Sequence, residues 1–259
     1  MMEPNMTIDT SVCEFLPWDT EFFGLRIGRV NGHSLTKQSV QEILDWAKNN
    51  AIDCLYFLSD FDNPETIRLA QIHGFQLIDI RMTFELNLKK IIRNAARPAS
   101  DVVIRPARRD DVPELESIAR KSYDVTRFHF DQRFPREKSD ALYETWIRKS
   151  CDGYADQVLI AELEKQPVGY VSLHLLGSGQ GRIGLIGVGE KARGKGVGKT
   201  LIYSSMDWLL AQNVEIERVA TQGRNIAAQR LYQSCGFLTY SVQLWHHKWQ
   251  TELSETISG

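Results

Sequence analysis

Residues 182–200 read RIGLIGVGEKARGKGVGKT, and this stretch decides how the rest of the chain is interpreted. Its apolar start, 182–188, predicts a β-strand, and residues 198–213 predict an amphipathic helix. Between them, three glycines at alternate positions stand among arginine and lysine. Glycine lets a backbone approach a phosphate at positive φ, and a helix N-terminus favours an anion. The stretch therefore predicts a phosphate-binding loop between a strand and a helix.

The end of this loop, GKT at 198–200, is also the end of the nucleoside-triphosphate P-loop. That pattern requires a glycine five residues before Gly198, where this chain has Arg193. The pattern fails where its backbone must turn. A P-loop nucleotide enzyme is therefore disfavoured, and a different phosphate ligand has to explain the glycines.

The composition excludes several other classes of protein. The chain has 259 residues, of which 42% are hydrophobic and 25% charged, with a net charge of −2. A nucleic-acid-binding protein usually has a basic excess, and this chain has none. No apolar run approaches the roughly 20 residues that span a bilayer. The start, MMEPNMTIDT, lacks the layout of a signal peptide, so we expect a cytoplasmic protein without membrane insertion.

The cysteines and histidines do not indicate a metal site. The four cysteines are scattered without a CxxC spacing, which is typical of a reduced protein rather than of a disulfide or zinc framework. His246 and His247 are adjacent in a predicted strand, so their side chains should point to opposite faces. We therefore expect no metal cofactor.

Hydrophobic periodicity predicts a mixed order of strands and helices after a boundary segment at 87–103. The order is strand, two helices, three strands, the glycine loop, helix, strand, helix and strand. The predicted elements lie at 102–107, 109–123, 140–150, 158–164, 168–176, 182–188, 198–213, 216–222, 225–237 and 240–249. This order predicts an α/β (α+β) fold with a mixed sheet flanked by helices.

The chain also contains an internal echo. Residues 45–75 align without a gap with residues 207–237, at an offset of 162, with eight identical positions. Ordinary residue frequencies give about two. The shared residues include a helix N-cap, Asn63 or Asn225, and a helix stop, Gly74 or Gly236. We favour an old duplication over coincidence between two similar units.

The two copies differ where chemistry is expected. Tyr232 of the second copy corresponds to Ala70 of the first, and two loop glycines correspond to Ser34 and Thr36. The segment 31–37 therefore cannot form the same nest of amides. We predict that the second copy carries the reaction and that the first copy is a wall, a dimer surface or part of an acceptor pocket.

The strand LIGV (185–188), the loop RGKGVG (193–198) and the helix NIAAQRLYQSCGF (225–237) together resemble the GNAT family of acyl-CoA-dependent N-acyltransferases. The family's loop pattern, Arg/Gln-x-x-Gly-x-Gly/Ala, is met from Arg193 to Gly198. The resemblance covers about 102–249. It implies a GNAT fold with acetyl-CoA as acyl donor, a catalytic domain at 102–259 and a degenerate, partial GNAT-like half at 1–95.

The resemblance also implies roles for particular residues. Residues 186–188 would hold the pantetheine arm, with the Val188 amide as an oxyanion donor, and the loop amides would bind the pyrophosphate. Tyr232 would be the general acid, unless it is a packed core tyrosine, and Asn225 would touch the cofactor, unless it only caps its helix. The residues assigned to acetyl-CoA are Ile186, Gly187, Val188, Arg193, Gly194, Lys195, Gly196, Val197, Gly198, Lys199, Asn225 and Leu231.

The acceptor is expected to be a primary amine. Longer stretches, such as PWDTEFFGLRIGRV (17–30) and TRFHFD (126–131), are similar to the sugar-nucleotide branch of the family. This implies the 4-amino group of a dTDP-4-amino-4,6-dideoxy sugar. The expected substrate residues are Trp18, Phe23, Arg127 and His129, with Phe22 as a further aromatic; the aromatic residues are alternatively core. The candidate general bases are His129, Asp131, His174 and Glu162.

Two alternatives remain open at this point. In the first, the acceptor is a protein, a peptide or another small amine. In the second, the chain binds acetyl-CoA without turnover and acts as a sensor. The last strand, 240–249, is interpreted as an edge that pairs across a homodimer.

Overall fold

The computed structural model describes residues 11–90, 101–123 and 126–250. Its contacts divide the chain into two compact units, one of residues 1–79 with 243–259 and the other of residues 80–242. The boundaries differ from the predicted 1–95 and 102–259, because β-strand pairing places 80–87 in the second unit and 243–249 in the first. Most of the predicted boundary segment, 91–100, lies outside the described residues.

The first unit is a small sheet with helices packed on it. Its strands run in the order β1-β2-β3-β10, with β2 and β3 parallel and the other pairs antiparallel. Helices α2 and α3 bury apolar side chains such as Ile43, Leu69 and Ala70 in one core. Its elements are β1 Cys13–Phe15, α1 Pro17–Phe23, β2 Ile27–Val30, α2 Lys37–Asn49, β3 Cys54–Asp60, α3 Pro64–Ile72 and the end of β10 Leu238–Trp249.

The second unit is a larger mixed sheet in the order β4-β9-β8-β7-β6-β5, in which only β8 and β9 pair in parallel among the described residues. Its core includes Phe84, Leu201 and Tyr232. The prediction of a mixed sheet flanked by helices is confirmed. The elements are β4 Gln76–Asn87, β5 Val103–Pro106, α4 Val112–Ser122, α5 Arg127–Phe130, α6 Arg136–Lys149, β6 Gln157–Leu163, β7 Gln166–Gly177, β8 Gln180–Val188, α7 Val197–Ala211, β9 Ile216–Gln222 and α8 Ile226–Ser234.

The internal repeat is confirmed by the bounds of these elements. At the offset of 162, β3 coincides with β9, α3 with α8 and β4 with β10. The pairing repeats as well, because Arg81 of β4 faces Gln222 of β9, and Gln243 of β10 faces Asp60 of β3. The strand β4, which follows the last helix of the first copy, therefore pairs into the sheet of the second unit. The strand β10, which follows the last helix of the second copy, pairs into the sheet of the first unit.

Residues 243–249 of the last strand pair with β3 within the first unit. The prediction that 240–249 pairs across a homodimer stays a prediction. His246 and His247 are both buried, and the described residues contain no group of side chains able to hold a metal ion. No described helix is long and apolar enough to cross a bilayer.

Candidate active site

The second unit opens where β8 and β9 part. Their parallel pairing runs from Gln180 to Ile183 of β8 and then stops. At this point Gly184 is an extra residue in β8, because Ile183 and Leu185 pair with the adjacent residues Leu173 and Ser172 of β7. Such a bulge bends its strand. Residues 184–188 therefore follow β7 and leave β9, which opens a gap in the sheet.

Gly184 has a steric reason to be glycine. A Cβ atom there would lie 2.4 Å from the imidazole nitrogen Nε2 of His174. The buried His174 side chain thus packs on the bulge. Burial and the nearby Arg182 lower the pKa of His174. Its position indicates a role in shaping β8, in addition to the predicted role as a candidate base.

The open edge of β8 presents two residues toward the gap. Gly189 donates to Val168, so the alternation of an antiparallel ladder turns the backbone groups of Ile186 and Val188 away from β7. The Ile186 amide donates to the Tyr123 hydroxyl at 3.0 Å, and that hydroxyl donates to the Ile186 carbonyl at 2.8 Å. Within the described residues, the Val188 amide has no acceptor.

The glycine loop leads from β8 into α7 with left-handed glycines at Gly194 (φ 74°) and Gly196 (φ 82°). Among the described residues, none of the amides of 194–199 has an acceptor in the chain. The N-cap, Gly196, has no side chain to supply one. Six successive amides without an acceptor lie at the start of a 15-residue helix, which is an arrangement that can bind an anion with the support of the helix dipole.

Arg193 ties this loop to its surroundings. Its Nε donates to the Val188 carbonyl at 3.1 Å, and its Nη2 donates to the Lys121 carbonyl at 3.3 Å. The side chain therefore fixes the loop against β8 and the end of α4. The lysines at 195 and 199 supply the remaining positive charge of the loop.

Helix α8 closes the site beside the loop. A Cβ atom on Gly198 would lie 3.1 Å from Leu231, so the glycine allows α7 and α8 to approach each other. Asn225 is the N-cap of α8, and its Oδ1 accepts from the Ala228 amide at 3.1 Å. The capping prediction is confirmed, and contact of Asn225 with a cofactor stays a prediction.

The Tyr232 ring is buried in α8, 3% exposed, between Phe84 and Phe237. Its hydroxyl oxygen has no hydrogen-bond partner among the described residues, and the protein does not enclose this oxygen completely. Burial raises the pKa of Tyr232, so the phenol stays protonated across the working pH range. Tyr232 is therefore a core tyrosine with a hydroxyl that reaches accessible space.

Tyrosine hydroxyls cluster at the edge of β8. Burial, and then the neighbouring phenols of Tyr170 and Tyr232, raise the pKa of Tyr123. The Tyr123 ring stacks on Tyr143 at 4.0 Å between ring centroids. Sequence analysis missed Tyr123, because it lies 63 residues before Ile186, at the C-terminal end of α4, and belongs to no motif. Only the fold places the two together.

The candidate bases are all engaged by neighbours. Glu162 pairs with Arg105 at 2.7 Å, in a network that includes Asp111. The His129 ring lies 2.9 Å from Asp140 and 2.7 Å from the Thr126 hydroxyl. Asp131 is buried and accepts from the Arg133 amide. These contacts give structural roles to Glu162 and Asp131, and none of the four assignments as a base is decided by the geometry.

The predicted aromatic residues Trp18, Phe22 and Phe23 all lie on α1 of the first unit. Trp18 and Phe22 stack at 5.0 Å and are half-buried, whereas Phe23 is only 4% exposed. Phe23 therefore belongs to the core of this unit, as the alternative interpretation held. Substrate contact by Trp18 stays a prediction.

Comparisons with known proteins agree with this geometry. Residues 115–237 match the Acetyltransferase (GNAT) family. The chain is 28% identical to a dTDP-fucosamine acetyltransferase of Escherichia coli O6:H1, over 91% of this chain and 97% of the relative.

Solved structures share the fold. A conserved protein of unknown function from Staphylococcus epidermidis has a TM-score of 0.64 and 17% identity, and covers 96% of this chain and 95% of its own. A GCN5-related N-acetyltransferase from Sphaerobacter thermophilus has a TM-score of 0.63 and 16% identity, over 92% of this chain and 76% of its own. The solved structures show the fold, and the family match leads to one conclusion: residues 115–237 form an acetyltransferase domain of the GNAT family.

Proposed function

We propose that the chain transfers the acetyl group of acetyl-CoA to the 4-amino group of a dTDP-4-amino-4,6-dideoxy sugar, in the cytoplasm. The observation that carries the donor half is the pair of open backbone features in the second unit. An unpaired β8 edge lies directly before six amides without an acceptor among the described residues. An extended arm that ends in a diphosphate fits this order, because the arm pairs with a strand edge and phosphates bind helix amides.

The proposal assigns the donor contacts along the chain. The pantetheine arm pairs with 186–188, where its amide replaces the Tyr123 hydroxyl on Ile186. The pyrophosphate binds the amides of 194–199, with Lys195 and Lys199 as counter-charges. The Val188 amide, which has no acceptor within the described chain, donates to the thioester oxygen as its negative charge develops.

The chemistry then needs one proton donor. The acceptor ammonium first loses one proton to water. The neutral amine nitrogen then attacks the thioester carbon, the carbon–sulfur bond breaks, and the nitrogen releases a second proton to water as the amide forms. The departing thiolate takes the proton of the Tyr232 hydroxyl, and the resulting phenolate recovers a proton from solvent. A phenol with a raised pKa suits this role, since it is protonated whenever the thiolate forms.

The acceptor half rests on similarity and on charge. The relative that covers nearly the whole chain is named a dTDP-fucosamine acetyltransferase. The described second unit also has a polar sheet face with arginines at 81 and 182. Both features favour an anionic sugar nucleotide over a lysine side chain or a peptide N-terminus.

The test is thiol release from acetyl-CoA with a panel of dTDP-amino sugars, peptides and small amines. We expect turnover with a 4-amino-4,6-dideoxyhexose nucleotide, and a kcat lowered about 100-fold or more by Tyr232→Phe. Tyr240→Phe is the matched control, because its ring is 56% exposed, and it should keep full activity. Turnover confined to peptides would refute the acceptor. An unchanged kcat in Tyr232→Phe would refute the acid.

A further inference from the structure

The Tyr123 hydroxyl occupies the open edge of β8. It accepts from the Ile186 amide at 3.0 Å and donates to the Ile186 carbonyl at 2.8 Å. One hydroxyl thus engages both of the backbone groups that this residue of the strand edge offers to an extended ligand. A donor arm that pairs with Ile186 has to break these two hydrogen bonds before it makes its own.

Packing holds the Tyr123 ring at this edge. The ring stacks on that of Tyr143 in α6 at 4.0 Å between centroids, with 8° between the ring planes. Helix α4, which ends directly before Tyr123, is tied to α6 by the ion pair of Arg120 with Glu144. The ring therefore stays beside β8, and only its hydroxyl group has to change partners.

A second buried hydroxyl lies against the next residue of β8. Tyr170 of β7 faces Gly187 in the strand register, and a Cβ atom on Gly187 would lie 3.1 Å from the Tyr170 hydroxyl oxygen. Tyr170 is fully buried, and among the described residues its hydroxyl oxygen has no hydrogen-bond partner. A buried hydroxyl in this condition is costly and needs an explanation.

The two hydroxyls are placed to meet. One bonds Ile186 and the other lies against Gly187, so consecutive residues of β8 bring them to the same stretch of the strand. The phenols also act on each other's pKa, in agreement with this closeness. Because both backbone groups of Ile186 engage the Tyr123 hydroxyl, it is not yet committed to Tyr170.

We propose that the Tyr123 hydroxyl is a latch on the donor-binding edge of β8. It holds Ile186 until the pantetheine arm pairs with that residue, and it then bonds the Tyr170 hydroxyl. In the first state the strand edge is satisfied and Tyr170 is not, whereas in the second state both are satisfied. The latch rests on the proposed function for the identity of the donor.

The latch makes donor affinity depend on two opposing contributions. The hydrogen bonds of Tyr123 to Ile186 oppose binding, and the new bond between Tyr123 and Tyr170 favours it. Loss of the Tyr123 hydroxyl removes two opposing bonds and one favourable bond, so binding should tighten. Loss of the Tyr170 hydroxyl removes only the favourable bond, so binding should weaken. Tyrosines that only fill the core would not give effects of opposite sign.

The test is calorimetric titration with acetyl-CoA. Tyr123→Phe should lower the Kd about 3- to 10-fold, and Tyr170→Phe should raise it by a similar factor. In the double variant the effect of Tyr170→Phe should disappear, because its partner is absent. Tyr154→Phe is the matched control, since its ring is 68% exposed in the same unit, and its Kd should not change. Thermal unfolding checks that each variant is folded.

Hydrogen exchange tests the first state of the latch without any ligand. The Ile186 amide should exchange at least about 10-fold faster in Tyr123→Phe than in the parent, because its acceptor is lost. The Val188 amide, which has no acceptor within the described residues, should exchange alike in both proteins.

The outcomes separate the latch from the proposed function. An acetyl-CoA affinity that Tyr123→Phe leaves unchanged or weakens, or effects of the two variants that simply add, would overturn the latch while the proposed function stands. Opposite and non-additive shifts in acetyl-CoA affinity, without acetylation of any sugar nucleotide, would sustain the latch and refute the proposed acceptor.

Discussion

The two copies begin their first long helix in opposite ways. In the first copy, the hydroxyl of Thr36 accepts from the Ser39 amide at 3.1 Å, and the Ser39 hydroxyl accepts from the Thr36 amide at 2.8 Å. This capping box closes the N-terminus of α2. In the second copy, Gly196 caps α7 without a side chain. The comparison teaches that the amides at the start of α7, which we propose as the phosphate site, are left open because no side chain caps them.

The cores of the two copies differ in the same direction. Ser205 of α7 donates to Glu217 of β9 at 2.7 Å, and both are fully buried. At the offset of 162 the first copy has Ile43 and Leu55, which are also buried. Tyr232 likewise corresponds to the buried Ala70. Both copies share the same helices and strands. The buried polar side chains, which cost free energy to remove from water, occur at these positions in the second copy.

The largest effect should come from replacing the loop glycines of the second copy with the residues that the first copy has at those positions. The double variant Gly196→Ser, Gly198→Thr carries the residues of the first copy. Its side chains block the amides, strain a left-handed backbone and collide with Leu231. We expect a loss of acetyl-CoA affinity of about 10- to 100-fold by titration calorimetry, because charge-assisted hydrogen bonds to phosphate are lost.

Gly32→Ala provides a control for backbone strain. Gly32 has φ 80°, close to the 82° of Gly196, and lies in the first copy. Its replacement should lower the free energy of unfolding by about 1 kcal/mol and leave acetyl-CoA binding intact. Equal loss of binding in both variants would mean that the nest has no special role.

A second prediction removes the buried acid. Burial raises the pKa of Glu217 to about 8, from 4.5 in the unfolded chain. The folded state therefore holds a proton that the unfolded state has lost, and stability falls as pH rises from 4.5 to about 8. The slope is at most about 1.4 kcal/mol per pH unit. Glu217→Leu, the residue of the first copy, should be more stable than the parent at pH 8 by about 1–3 kcal/mol.

The measurement is urea unfolding at pH 5 and pH 8. The difference in unfolding free energy between the parent and Glu217→Leu should grow with pH. Ser205 remains satisfied in the variant, because its hydroxyl can then donate to the Ile202 carbonyl, which lies 2.7 Å away. Glu190→Leu, an exposed position, should show no such trend. A difference that is constant with pH would contradict the raised pKa.

The smallest effect compares the two equivalent caps. Asn63 and Asn225 each accept from the amide three residues later, at 3.0 and 3.1 Å. Each change to alanine should lower the free energy of unfolding by about 1 kcal/mol in urea titrations. If Asn225 only caps its helix, neither variant changes acetyl-CoA affinity. A weaker affinity confined to Asn225→Ala would assign it a cofactor contact as well.

The local chemistry of the second copy could be predicted from the sequence. The glycine loop, the strand before it and the helix behind it follow from short patterns, and the structure places them at 180–188 and 197–211. The repeat was also visible, because caps and stops such as Asn225 and Gly236 are local signals. Local backbone requirements leave local traces in a sequence.

Long-range pairing left no such trace. The sequence gives no sign that β4 pairs with β9 in the second unit or that β10 pairs with β3 in the first. Helix α5 has only four residues, too few for a periodic pattern. Tyr123 and Arg81 reach their neighbours through tertiary contacts alone, so no spacing in the sequence predicts these contacts.

One titration tests the central claim that only the second copy binds the donor. Calorimetric titration of the whole chain with acetyl-CoA should give one site per chain, and the Gly196→Ser, Gly198→Thr variant should lose most of that affinity. Two equivalent sites per chain, or a single site that survives these replacements unchanged, would contradict the account.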